Sequence, residues 1–312
     1  MSDQENKDFV TDVGVMLSQL WDLHPPHYHR VPCNHPCSLM RSDVSKLRDR
    51  EYWVSPKTDG VRMFLLLSFT DTEDYAVLVD RAFGLRRVKL KAPMDAYSGT
   101  LLDGELVTSG HGMETYVVFD AIAVNGYSMI RKVQSERMAA AVTLLSMCDV
   151  SEDPALRLKA KRWFQCTPNL SFDDVRRSAD GTPTDGFIFV PEQGHILRPG
   201  QQRDHFKWKP VTHHTIDMVW KDGCLWLESR GTPVRADEVL SIMWDGGPVL
   251  RGMKQGDVVE CSVSRSRSSS SATSWIATFA RLRSDKLHPN DVKVARLTLQ
   301  NIEENIQLFE LQ

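Results

Sequence analysis

In the run Lys57-Thr58-Asp59-Gly60-Val61-Arg62, a lysine and an arginine flank an Asp-Gly pair between Tyr52-Trp53-Val54 and Met63-Phe64-Leu65-Leu66-Leu67. Two cations on a Gly-containing turn between apolar strands stand at a rigid edge, where a phosphate or a ribose can reach them. An ordinary hairpin turn carries the same string, so the rest of the chain decides. Asp103-Gly104-Glu105 places two carboxylates and a glycine, all poor strand formers, between Leu102 and Leu106. Asp80-Arg81 closes another apolar run with charges. Such breaks of local preference gather at functional sites, although Asp-Gly also makes hairpin turns. Tyr116-Val117-Val118-Phe119-Asp120-Ala121 ends an apolar strand in an aromatic and a carboxylate, and Phe119 by itself reads as core. Lys207 and Lys209 alternate with Phe206 and Trp208 just before Pro210. Period two sets both ammonium groups on one strand face and both aromatics on the other, as a merely solvated lysine face would also do.

The elements that must hold these residues follow from the spacing of apolar positions. Phe9, Val13, Leu17 and Leu20 predict an amphipathic N-terminal helix ending before Pro25-Pro26, and residues His24 to Met40 read as a surface connection. Tyr52–Val54, Met63–Phe69, Tyr75–Val79, Leu85–Leu90 and Thr100–Val107 are short apolar runs separated by Asp, Gly and Pro, the pattern of antiparallel sheet. Arg131 to Met147 has helix composition and should cover one face of that sheet. Strands resume at Trp163-Phe164 and at Gly186–Val190. Beyond Pro210, runs at Ile216–Trp220, Cys224–Leu227, Val239–Met243 and Val258–Val263 suggest a small barrel. Ser264 to Ser274, almost all Ser and Arg, reads as a flexible hairpin tip, and a terminal helix should carry Ile302, Ile306 and Phe309.

The 312 residues suffice for one large core or two domains, and 41% hydrophobic with 25% charged residues is ordinary globular composition. A formal net charge of -3 excludes a polycationic surface, so a nucleic acid would have to be gripped locally. The opening residues are polar and lack a continuous apolar run, which predicts an intracellular protein with no membrane segment. The six cysteines are scattered and read as free thiols. Cys33-Asn34-His35-Pro36-Cys37 has the form of half a zinc site, but no second ligand pair follows at a usable spacing.

In order, KTDGVR, DGELV, YVVFDAIA, TDGFIFVP, FKWKP and RLRSDKLHPN resemble the motifs of nucleotidyltransferases that act through a lysine-bound nucleotide, namely mRNA capping enzymes, DNA ligases and RNA ligases. The resemblance runs from Lys57 to Asn290. Asp185-Gly186, where ligases usually carry Glu-Gly, together with Lys207-Trp208-Lys209-Pro210 and Arg283-Ser284-Asp285-Lys286, is similar to the capping branch. His35-Pro36-Cys37-Ser38-Leu39 departs from the capping pattern.

The resemblance implies an α+β fold, an antiparallel-sheet-rich nucleotidyltransferase domain at 1–211 and an OB-fold barrel with a C-terminal helix at 212–312. It implies an mRNA guanylyltransferase using GTP, with Lys57 as nucleophile and Asp185, Lys207 and Lys209 as its catalytic companions. Arg62 and Glu105 would hold the ribose, Phe119 would stack on guanine and Lys161 would read the base. Arg81, Arg283, Asp285 and Lys286 complete the expected GTP contacts, the last three reaching over from the barrel. Mg or Mn is implied by the pyrophosphate leaving group, without assigned ligands. The implied partners are 5′-diphosphate RNA, a separate RNA triphosphatase and RNA polymerase II, with a nuclear location in a eukaryote. The alternative within the same chemistry is an ATP-dependent polynucleotide ligase.

Overall fold

A run as continuous as Phe64-Leu65-Leu66-Leu67 belongs in a sheet covered on both faces, and the computed structural model, which describes residues 3–23, 31–193, 196–245, 254–266, 274–284 and 286–311, puts it there. The chain forms two compact units, one of Met1–Cys37 with Ser45–Lys207, the other of Ser38–Val44 with Trp208–Leu311.

In chain order the elements begin α1 (Asp3–Leu20), β1 (Asn34–Ser38), α2 (Val44–Asp49), β2 (Tyr52–Thr58), β3 (Val61–Phe69), β4 (Asp74–Asp80), β5 (Leu85–Arg87), β6 (Thr100–Thr108), β7 (Glu114–Val124) and β8 (Tyr127–Ser128). They continue α3 (Gln134–Ser146), β9 (Leu156–Ala160), β10 (Phe164–Gln165), α4 (Phe172–Arg177), β11 (Thr184–Pro191) and β12 (Gly200–Trp208). Two sheets result, one ordered β1-β12-β11-β2-β10 and one ordered β5-β4-β3-β6-β7-β8 with β9 added parallel to β7.

Strand alternation sorts the second sheet's side chains. Leu65, Leu67, Leu78, Leu102, Tyr116 and Val118 pack with Ala141 and Leu144 of α3. Phe64, Leu66, Val77, Val79 and Ile122 pack on the other face with Phe9, Val13, Leu17 and Trp21. Both expected helices therefore cover the sheet, one on each face. Leu17 is completely buried, so Leu17→Ala should destabilise by about 2–5 kcal/mol.

The second unit contains β13 (Thr215–Lys221), β14 (Cys224–Ser229), β15 (Thr232–Arg235), α5 (Ala236–Leu240), β16 (Ile242–Trp244), β17 (Val258–Arg265), β18 (Trp275–Leu282) and α6 (Val292–Glu304). Its OB-type sheet is ordered β15-β14-β13-β17-β18-β16, with β16 parallel to β18. The whole is α+β.

Several local readings change. Val239 lies in α5, not in a strand; only Ile242 onward is extended. The terminal helix stops at Glu304 because Asn305 turns to the left-handed region at φ 43°, so Ile306 and Phe309 lie beyond it. The stretch read as a surface connection contains β1, while residues 24–30 lie outside the described residues. Of the Ser/Arg stretch, residues 267–273 also lie outside; Ser266 N–H donates to Ser274 O between β17 and β18. All six cysteines are free.

Candidate active site

The Asp59-Gly60 pair is not a hairpin turn. β2 and β3 belong to different sheets, so this corner carries the chain from one sheet to the other. Asp59 N–H donates to Pro183 O at 2.9 Å and Gly60 N–H to Glu105 Oε1 at 3.3 Å. Any Cβ at Gly60 would sit 2.5 Å from Leu106 O, which is why the corner needs glycine. Lys57 leaves β2 just before it. On β11 the pairs Thr184↔Thr58 and Phe187↔Pro56 leave Asp185-Gly186 together opposite Lys57. That bulge aims the Asp185 carboxylate at the lysine, with Lys57 Nζ 2.8 Å from Asp185 Oδ1.

Lys57 opens on a cavity of about 260 Å³ in the first unit, lined also by Asn34, Arg62, Arg81, Glu105, Phe119, Gln134, Lys161, Trp163, His205 and Lys207. Asp103-Gly104-Glu105 does not interrupt its strand; β6 runs through it. Gly104 is required because the Tyr116 ring lies where a Cβ would go, 2.5 Å away. Asp103 and Glu105 share the face of Arg62, which pairs across from Glu105. The Arg62 guanidinium donates to both Asp103 oxygens, to Asn34 O and to Asn34 Oδ1. Among the described residues this leaves one Nη1 hydrogen for a ligand. Arg81 follows Asp80, whose Oδ1 accepts the N–H groups of Ala82 and Gly84 and so shapes the loop after β4.

Phe119 is not core. Between Asp103↔Asp120 and Gly104↔Val118 the register slips and leaves Phe119 without a partner on β6. The bulge turns its ring into the cavity, where Arg62 and Lys161 stand 5.4 and 5.3 Å from its centroid. Lys161 is placed by its own N–H, which donates to Val118 O at 2.7 Å just past the end of β9. Burial brings its ammonium down to about 8, opposed chiefly by Glu105. Burial likewise raises Glu105, against Lys161, Lys57 and Arg62, and pushes Asp103 up to about 6 against Arg62. The site is thus a pocket edged by cations, with an aromatic floor.

In β12 Phe206 and Trp208 are buried while Lys207 reaches the cavity, as alternation requires. Lys209 lies past the strand, in the second unit, beside Leu39, Trp208 and Asn301. Arg283 and Lys286 are in that unit too, both on Asp217 of β13; Arg283 Nη1 is 3.1 Å from Asp217 Oδ1. Asp285 lies outside the described residues. Asn34, Gln134, Trp163 and His205 were missed as lining residues; only the proximity of Trp163 to Lys161 in sequence signalled any of them.

Cys33 Sγ stands 3.4 Å from His35 Nε2, but among the described residues no three His, Cys, Asp or Glu side chains converge as metal ligands. The cavity carboxylates are turned to protein cations and N–H groups. A hard divalent ion would be held here chiefly by oxygens that a ligand brings with it. No described helix is long and apolar enough to cross a membrane.

Residues 2–211 match the family model for the mRNA capping enzyme catalytic domain, and residues 237–312 the model for the mRNA capping enzyme C-terminal domain. The mRNA-capping enzyme subunit alpha of Saccharomyces cerevisiae is 28% identical over 66% of this chain, which is 51% of that protein. The subunit alpha of Kluyveromyces lactis is 23% identical, with 97% of this chain and 81% of that one covered. The mRNA-capping enzyme of Mus musculus is 24% identical over 89% of this chain, and the match spans about half of that protein, 49%. A solved mycobacterial DNA ligase D complexed with ATP and MES matches 82% of this chain and 95% of its own at 13% identity, with a TM-score of 0.47. With both family models in their expected order, the chain belongs to the mRNA capping enzyme family.

Proposed function

We propose that the chain is an mRNA guanylyltransferase. The observation that carries this is Lys57 Nζ, 2.8 Å from Asp185, at the mouth of a cavity that offers Phe119 to a base and Lys161 to its polar edge. Lys57 Nζ attacks the α-phosphorus of GTP, an N–P bond forms, the bond to the β-phosphate oxygen breaks and pyrophosphate leaves. The proton lost by Lys57 passes to Asp185, the carboxylate already in hydrogen-bond reach. A 5′-diphosphate RNA end then attacks the same phosphorus, takes the GMP and returns the lysine.

Arg62, held by Asp103 and Asn34, offers its remaining N–H to the ribose, with Glu105 as the facing acceptor. Arg81, Lys207 and Lys209 supply cations for the phosphates, where charge builds during transfer. Mg or Mn, bound with the triphosphate, would share the negative charge of the departing pyrophosphate. The division proposed is nucleotidyl transfer in 1–211 and an OB-type accessory domain in 212–312, with Arg283, Asp285 and Lys286 serving the β- and γ-phosphates. An RNA triphosphatase activity acting beforehand would supply the diphosphate end. A nuclear setting alongside RNA polymerase II is part of the same proposal.

Incubation with α-labelled GTP or ATP tests the reading. GTP should label the protein covalently, ATP should not, and Lys57→Arg should abolish labelling because a guanidinium gives no neutral amine. Labelling by ATP in preference to GTP would replace this reading with the ligase one.

A further inference from the structure

Beneath Phe119, Asp120 is buried and Arg137, fully buried in α3, pairs with both its oxygens at 2.7 and 3.1 Å. Arg137 also donates to Lys132 O at 2.8 Å and to Gln134 Oε1. A guanidinium has only donors, so this contact fixes which end of the Gln134 amide is oxygen. The amide can then present only its NH₂ elsewhere. Gln134 is 1% exposed and lines the nucleotide cavity, yet its Nε2 has no partner among the described residues. An orphaned buried donor is costly unless a ligand completes it. The groove on the other side of Gln134 is walled by Trp53, Met138, Val142 and Trp163, and its Ser135 hydroxyl is already given to Glu192. Lys161 and Arg162, which also line that groove, carry only donors, so none of its side chains accepts from Nε2, and the nucleotide cavity that Gln134 also lines can supply a ligand that does.

We propose that Gln134 is a specificity-determining residue that donates from Nε2 to O6 of a guanine stacked on Phe119. This rests on the guanylyltransferase reading and adds to it a second donor besides Lys161. With its oxygen tied to Arg137 the amide is an obligate donor. N7 is an acceptor in both purines, but at position 6 guanine presents an acceptor and adenine an amino donor, which an obligate donor rejects.

The test uses the full chain with GTP, ITP and 2-aminopurine riboside triphosphate, the last lacking O6. Covalent labelling of Lys57 and equilibrium binding by calorimetry are both read. Wild type should treat GTP and ITP alike and discriminate against 2-aminopurine. Gln134→Met should shrink that discrimination by about tenfold to a hundredfold. Gln134→Glu keeps a partner for Arg137, and so keeps the fold, but turns an acceptor to the base; it should also lose discrimination and should raise ATP binding relative to GTP. Wild-type ratios in both variants overturn the proposal. Base preference in binding without covalent labelling would count against the enzymatic reading and not against Gln134.

Discussion

Cations in the two units are housed in opposite ways. Around the first unit's cavity each has its own arrangement: Lys57 faces Asp185, Arg62 is locked by Asp103 and Asn34, and Lys161 is desolvated enough to fall to about 8. In the second unit Arg283 and Lys286 converge on the buried carboxylate of Asp217, whose backbone is itself tied to Asn290, and Arg283 has Glu260 as a further partner at 3.5 Å. The first cluster keeps unspent hydrogen-bonding capacity facing a cavity. The second is satisfied internally, so a phosphate that recruits it must compete with Asp217 and, at Arg283, with Glu260, and gains only the difference between anionic partners. Preorganisation therefore belongs to the first unit, and exchange to the second.

Substitutions that break this contrast can be ranked. Asp185→Asn keeps the shape beside Lys57 but removes its proton acceptor, and single-turnover attachment of GMP should slow by about 10²–10⁴-fold. An unchanged rate would leave Asp185 as a mere neighbour. Next in size is stability. Arg137→Leu strands Asp120 in the core and should lower the unfolding free energy by about 3–5 kcal/mol in denaturant titration. Asp217→Asn, whose cations are partly exposed, should lose clearly less; equal losses would erase the distinction between the clusters.

Lys286→Ala should slow attachment of GMP from GTP by roughly tenfold or more while sparing transfer from loaded enzyme to RNA, because the β- and γ-phosphates are gone by then. Equal slowing of both steps would assign Lys286 to the RNA end or to the fold.

The smallest effect concerns pH. Lys161 drops from 10.5 to about 8 because burial disfavours its ammonium. A depressed folded value makes its contribution to folding present above 10.5 and lost as pH falls through about 8. Ligand binding has the opposite sign: the charged donor proposed to face the base exists below about 8, so GTP affinity should weaken as pH rises through that value. Lys161→Met should flatten the curve, and an unaltered break would place its origin elsewhere.

Much of the cavity could be read from residue order. Lys57, Arg62, Arg81, Glu105, Phe119, Lys161 and Lys207 sit in short strings whose chemistry is local, and all of them reach its wall. What escaped depends on register and on distant pairing. Phe119 looks like core to any period-two argument until the slip against β6 turns it inward. Asn34 matters through Arg62, a partner on another strand, and Gln134 through Arg137 one helical turn on. The Asp59-Gly60 pair resembles a hairpin because nothing in it announces that its strands join different sheets. Val239 was misread because a single helical turn of Ala236–Leu240 is too short to show a period.

Ser38–Val44 has a practical consequence for anyone who would cut this molecule in two. The segment travels with the second unit, where Leu39 O accepts from Asn301 Nδ2 at 3.1 Å and Arg41 holds Glu304 and Glu310 near the end of α6. A fragment beginning at Trp208 would carry a helix whose clasp was left behind on the other piece. Expressed separately, it should be poorly folded, yet the amino-terminal piece would bring the missing strap with it. The chain is therefore a natural candidate for split-protein complementation, with reassembly reported by the recovery of labelling at Lys57.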